Sequence, residues 1–195
     1  EPLTKGAIRK LTELNVPASY VQDLLGLGYA VNLTTLGLGN NRIKDFSDQS
    51  TISKLKRARG ALRAHRISDV SPLASLTNLT SLNLGNNQIS DVSPLASLKN
   101  LVSLNLNRNR IKDVSPLGSL TNLTVLTFGG NQVSDISPLA SLTNLTRLRL
   151  NRNQISDVSP LASLTNLNEQ LNLDDNQISN ISPLASLTNL TWLDL

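Results

Sequence analysis

Leu76-Thr77-Asn78-Leu79 returns as Leu98-Lys99-Asn100-Leu101, Leu120-Thr121-Asn122-Leu123 and Leu142-Thr143-Asn144-Leu145, then again from Leu164 and from Leu187. The first four intervals are 22 residues and the fifth is 23. A fixed period of this length means that the chain is a stack of small units, none of which can bury its apolar face alone. One unit reads Leu98, Leu101, Leu104, Leu106, Asn109, Ile111, Asp113, Ser115, Pro116, Leu117. The same frame fits upstream through Ala30, Leu33, Leu36, Leu38, Asn41, Ile43 and Asp45, and through Ile8, Leu11, Leu14 and Val16. The expected organisation is one domain over 1–195 with a lead-in at 1–7. Its units are 8–29, 30–51, an aberrant 52–75, 76–97, 98–119, 120–141, 142–163, 164–186 and a truncated 187–195.

Each slot of the unit has a physical job. The Leu-x-Leu step has period two, so both leucines face the same side of a short strand. Stacked units turn these strands into a parallel sheet over a leucine core. The Asn slot (41, 87, 109, 131, 153, 176) falls where the chain leaves the strand, and its amide is expected to pair with backbone groups that would otherwise be buried unpaired. Ser-Pro is expected to supply the N-cap and first residue of a short helical turn on the opposite side. The Asp two residues earlier is expected to accept backbone N–H bonds rather than to bind Ca²⁺, which needs six to eight oxygens where each unit offers one carboxylate.

Composition supports the repeat and removes most chemistry. Aromatics make up 3%, with no Met and no Cys, so the core must present one small leucine-lined space many times. Zero cysteines exclude disulfides and Cys-based zinc sites, and a single His removes most catalytic triads and metal clusters. The chain is therefore expected not to be an enzyme, and no cofactor or metal is expected. No apolar run approaches the ~18 residues of a spanning helix. The start at Glu1, without a charged-then-apolar leader, suits a processed or trimmed product.

The 22-residue unit with Asp91-Val92-Ser93-Pro94-Leu95 resembles the repeats of internalins and related bacterial surface proteins. The resemblance implies an α/β leucine-rich-repeat solenoid, with a parallel β-sheet on the concave face and short 3₁₀ or helical turns on the convex face. It also implies ligand binding by the concave face and an extracellular or bacterial cell-surface setting. The chain departs from that pattern in a helical N-terminal cap shortened to about 4–12 and in a last unit that stops at Leu195 without a cap. An uncovered last layer would leave its leucines and a strand edge open, which implies either a fragment of a longer protein or self-association through that end.

The frame breaks between Asp45 and Ile67. Ile52, Leu55 and Ala58 fit the first apolar slots, but the unit runs 24 residues to Leu76, and His65 stands in the Asn slot. Lys54, Lys56, Arg57, Arg59, Arg63 and Arg66 concentrate the basic charge here; the rest of the chain holds 12 basic and 14 acidic residues, a net of −2. Three readings stand for this stretch: a degenerate unit, a unit altered by a local frame slip, and a basic patch for an anionic polymer. Aromatics that would stack bases do not interleave with the charges, which weighs against nucleic acid. A smaller break at Asn168-Glu169-Gln170 adds one residue ahead of Leu171; a bulge there could re-aim the nearby side chains, and a tolerated slip is the expected reading.

What varies between units flanks the strand leucines and therefore points away from the core. Binding hot spots favour Trp, Tyr and Arg. The candidate ligand-binding residues are accordingly Arg147, Arg149 and Trp192 on the concave face, with Arg108, Arg110 and Arg152 at its rim. The leading expectation is a module that binds a protein of unknown identity. A spacer without a ligand, and a binder of an anionic glycan or nucleic acid through Arg147, Arg149 and the 54–66 segment, are the alternatives.

Overall fold

The computed structural model describes residues 5–16, 24, 26–39 and 67–195. A one-turn helix, α1 (Lys5–Ile8), leads into strands β1 (Glu13–Asn15), β2 (Thr35–Gly37), β3 (Ser81–Asn83), β4 (Ser103–Asn105), β5 (Val125–Thr127), β6 (Arg147–Arg149), β7 (Gln170–Asn172) and β8 (Leu193–Asp194). They form one parallel sheet in chain order. Leucine pairs with leucine along it: Leu36 with Leu82, then Leu104, Leu126, Leu148, Leu171 and Leu193. Opposite the strands stand 3₁₀ turns, among them Ser93–Ser97, Ser115–Ser119 and Ser137–Ser141. This is the expected α/β solenoid.

The core lies between the strands and the turns. In the unit from Leu98, the side chains of Leu98, Leu101, Leu104, Leu106, Ile111, Val114 and Leu117 are all buried. At about 1.5–3 kcal/mol each, seven such residues gain about 10–20 kcal/mol. Ordering the unit's backbone and side chains costs more than that, so a layer is stable only against its neighbours. Phe128 replaces the second strand leucine in one unit and is buried without disturbing the register.

The Asn slot ties one layer to the next. Asn109 Nδ2 donates to Leu106 O in its own layer and to Leu84 O in the preceding one, both at 3.0 Å, while its Oδ1 accepts the Ile89 N–H at 3.0 Å. Asn87, Asn131, Asn153 and Asn176 repeat the arrangement. The turn side has a second ladder. Ser97 Oγ reaches Ala74 O of the previous layer, and Asn100 Nδ2 reaches Thr77 O.

Ser93 is not the N-cap. Val92 occupies that position, with its side chain buried in the core, and Ser93 is the first residue of the turn. The cap comes from Asp91, whose Oδ1 accepts the Ser93 N–H at 2.8 Å. Asp69, Asp113, Asp135 and Asp157 do the same for Ser71, Ser115, Ser137 and Ser159. The serine N–H (the leading cause except at Asp113, where the hydroxyl leads) and the serine hydroxyl hold these carboxyls below their ordinary value, against a smaller opposing push from desolvation.

One layer is assembled from two distant stretches. Strands β2 and β3 are hydrogen-bonded neighbours although Leu36 and Leu82 lie two nominal units apart. Ile67 takes the slot that follows β2: its carbonyl accepts from Gln88 N, and its N–H donates to Asn87 Oδ1, the amide that also binds Leu38 O. Val70 and the 3₁₀ turn Ser71–Ser75 complete that layer, and Ser75 Oγ and Asn78 Nδ2 reach back to Gly28 O and Val31 O. The expected boundaries of 30–51 and 52–75, the basic cluster and His65 fall on or run through residues 40–66, outside the described residues.

Two outcomes follow for stability. Asn109→Ala leaves the buried Ile89 N–H without its acceptor and removes one of the two amide donors on each of Leu84 O and Leu106 O, so urea denaturation should show a loss of about 2 kcal/mol or more. Asn100→Ala on the exposed turn side should cost less than about 1 kcal/mol. For the aspartates, a depressed folded pKa means that their stabilisation is present above the ordinary carboxylate value and is lost as pH falls through the lower folded one. Thermal stability should therefore drop below about pH 4. Asn180 already caps Ser182 with a neutral oxygen at 3.0 Å, so an Asp113→Asn, Asp135→Asn variant should fold and show a shallower acid decline; parallel profiles would refute the assignment.

Candidate functional site

The strand residues that flank the buried leucines form columns across the sheet. One column runs Thr35, Ser81, Ser103, Val125, Arg147, Gln170, and the next runs Gly37, Asn83, Asn105, Thr127, Arg149, Asn172, Asp194. Most of these side chains are small and polar, so the two arginines of β6 rise from a low surface.

Past each of the strands β3 to β7, the chain bends through a left-handed residue. Asn86, Arg108, Arg152 and Asp175 have φ of 58°, 55°, 57° and 52°, and Gly130 takes 70° in the layer of β5. These conformations cost a side-chain-bearing residue free energy that glycine does not incur. At Gly130 the column lacks a side chain, and a Cβ there would stand 3.2 Å from Arg108 Cγ. The result is an open notch of about 380 Å³, walled by Arg108, Arg149 and Arg152 together with Asn105, Asn107 and Asn151. Gly129 and Gly130 also line it, and Asn86 closes one side with an Oδ1 that has no donor.

The sequence-predicted residues divide into three groups. Arg108, Arg149 and Arg152 come together in the notch. Arg149 Nε donates to the neutral Gln170 Oε1 at 2.7 Å, and Arg152 Nε pairs with Asp175 Oδ2 at 3.0 Å. Arg147 is committed elsewhere, in an ion pair with Glu169 that leaves its Nε without an acceptor. Arg110 and Trp192 are exposed and stand outside the notch; Trp192, 43% exposed, adjoins the column of Arg147 and Gln170, and its carbonyl accepts the Leu171 N–H.

Glu169 was not among the sequence candidates. It comes from the one-residue insertion: the backbone step that spans 22 residues elsewhere becomes 23 where Glu169 N donates to Thr146 O, and β7 keeps its register. The insertion thus delivers a carboxylate to Arg147 Nη2 and Thr146 Oγ1. The glycine pair was missed for another reason: it acts by having no side chains.

The aspartate row caps turns as described, and among the described residues no group of three or more His, Cys, Asp or Glu is placed to hold a metal. No helix of the described residues is long and apolar enough to cross a membrane.

Residues 62–97, 99–141 and 143–186 match the family model described as leucine-rich repeats in two copies. An internalin C2 of Listeria monocytogenes is 41% identical in a solved structure; the match covers 97% of this chain and 83% of that one, with a TM-score of 0.73. A second internalin of the same organism is 37% identical over 97% of this chain, at a TM-score of 0.59, and this chain spans 62% of its length. The leucine-rich-repeat ectodomain of a plant membrane receptor kinase from Arabidopsis thaliana, at 19% identity and a TM-score of 0.69, shares the fold alone. No curated protein matches the chain.

Proposed function

This chain belongs to the internalin-like leucine-rich-repeat proteins, and from that premise we propose that it is a protein-binding module of a bacterial surface or secreted protein, which takes its partner on the open strand face. The observation that carries this reading is where the layers differ. Core, Asn slot and Ser-Pro turn recur almost unchanged, whereas the strand columns change from Ser103 and Asn105 through Val125 and Thr127 to Arg147 and Arg149. A spacer without a ligand has no use for such variation on one face.

The residues proposed to contact the partner are Arg149 and Arg108 first, then Arg152, Arg147, Arg110 and Trp192. Arg149 and Arg108 lead because both line the notch and neither is paired with a carboxylate, and an anchoring side chain contributes most when it arrives with its charge uncommitted. Catalysis forms no part of the proposal, since the side chains that line the notch are amides and guanidiniums.

The test is affinity capture from host and bacterial surface extracts with three purified forms. Wild type and a turn-face Ser93→Ala, Ser115→Ala variant should retain the same partner. An Arg147→Ala, Arg149→Ala variant of equal stability should retain at least about tenfold less. A partner held equally by all three would place binding elsewhere, and capture that vanishes with moderate salt in favour of anionic polymers would support a glycan or nucleic-acid ligand instead.

A further inference from the structure

We propose that the notch over Gly129–Gly130 is a receiving site for a carboxylate side chain carried by an acidic segment of the protein partner. This rests on the strand-face reading above and narrows it. In the left-handed turn column, Arg108 lies one layer before Gly130 and Arg152 one layer after. Strands repeat at about 4.8 Å, so the two arginines start roughly 10 Å apart with nothing between them but glycine. A carboxylate in that gap meets two planar, fork-shaped donors, a geometry that gives short, charge-assisted hydrogen bonds.

Apart from Asn86 Oδ1, an acceptor without a donor at one side, groups around the notch also suit an anion. Arg149 spends Nε on a neutral amide oxygen, which leaves its charge uncompensated. Arg152 and Asp175 form a pair whose side chains are 63% and 59% exposed, and so exposed a pair contributes little and is readily given up to a better acceptor. Asn105 Oδ1 accepts from Thr127 Oγ1 and Asn107 N, and Asn107 Oδ1 accepts the Gly129 N–H at 2.7 Å. With those oxygens engaged, what the two amides can offer the notch is N–H. Among the described residues no carboxylate lines it.

The surroundings select for a single compact charge rather than a polyanion. Asp174, Asp175 and Asp194 follow on the layers of β7 and β8, so the positive spot is bounded on that side by acids. A phosphate or sulfate chain laid along the face would run onto them, and like charges at close range repel. A peptide with one or two acidic side chains can fill the notch and turn away.

The experiment titrates the full chain with a blocked Gly-Ser-Glu-Gly-Ser peptide, which carries one carboxylate, followed by calorimetry and by chemical shifts at Gly129 and Gly130. Binding should weaken as salt rises, and the matching peptide with Gln in place of Glu should not bind. Arg149→Ala should reduce affinity by about tenfold or more. Gly130→Asn should do likewise by filling the notch, and it should fold because Asn86 holds the same left-handed position in the same column. Lys99→Ala, on the turn side, should change nothing. Absent binding, or binding unaffected by both Arg149→Ala and Gly130→Asn, overturns the proposal. So does tighter binding of single-stranded DNA or a sulfated dodecasaccharide through the same residues. If the single-glutamate peptide fails while Arg147→Ala, Arg149→Ala still abolishes partner capture, the carboxylate site is wrong and the strand-face reading stands.

Discussion

The interaction on which the rest depends is the asparagine at the end of each strand. Leaving a parallel strand for a turn strands a carbonyl and an N–H inside a leucine core, where an unpaired polar group is costly. One amide side chain, with two donors and an acceptor in fixed geometry, serves the carbonyl of its own layer together with the carbonyl and the N–H of the layer before, so that Leu84 O is shared by Asn87 and Asn109. Aspartate has no donor for the carbonyls, and leucine satisfies nothing. Because Asn109 bonds to Leu84 and Ile89 of the preceding unit, the residue that completes one turn also sets the height and register of the next.

That arrangement frees the strand face. Backbone pairing runs along the sheet, the leucines hold the core, and the turn side is closed by serine and asparagine ladders of its own. The strand columns therefore carry little of the structural duty, beyond the backbone N–H groups that Asn83, Asn105 and Asn172 accept, and can vary. In this chain the variation gathers two arginines on β6, two more in the left-handed turn column, and a glycine pair between them. A gap in an otherwise filled column is as much a feature of recognition as the charges on either side of it.

Much of the fold was legible because every core slot is repeated and each repeat carries the same physical reason. Leu-x-Leu fixes strand and face, and the Asn slot marks the exit. The serine position was misjudged because Ser and Asp are both good caps, and what decides between them is that Val92 is drawn into the core and sets where the turn begins. The joining of β2 with Ile67–Ser75 was hidden for a related reason. Asn41-Arg42-Ile43-Lys44-Asp45 fits the local frame at least as well as the stretch around Ile67, and only contacts with Asn87 and Gln88, 20 residues and more away, show that Ile67 completes that layer. At the site, the arginines announced themselves as variation. Their pairing did not, since it depends on where the chain absorbs the extra residue that carries Glu169.

Native-state hydrogen exchange tests the central claim most directly. The N–H groups of Ile89, Ile111, Val133 and Ile155 lie outside every strand, and each is held by the asparagine of the following layer. If those side chains bind the stack together, the four amides should exchange as slowly as amides paired from layer to layer such as Leu84, whose N–H donates to Asn105 O, and open with them as one cooperative unit. Exchange as fast as at the exposed turn residues Ser90 and Ser134 would contradict the account.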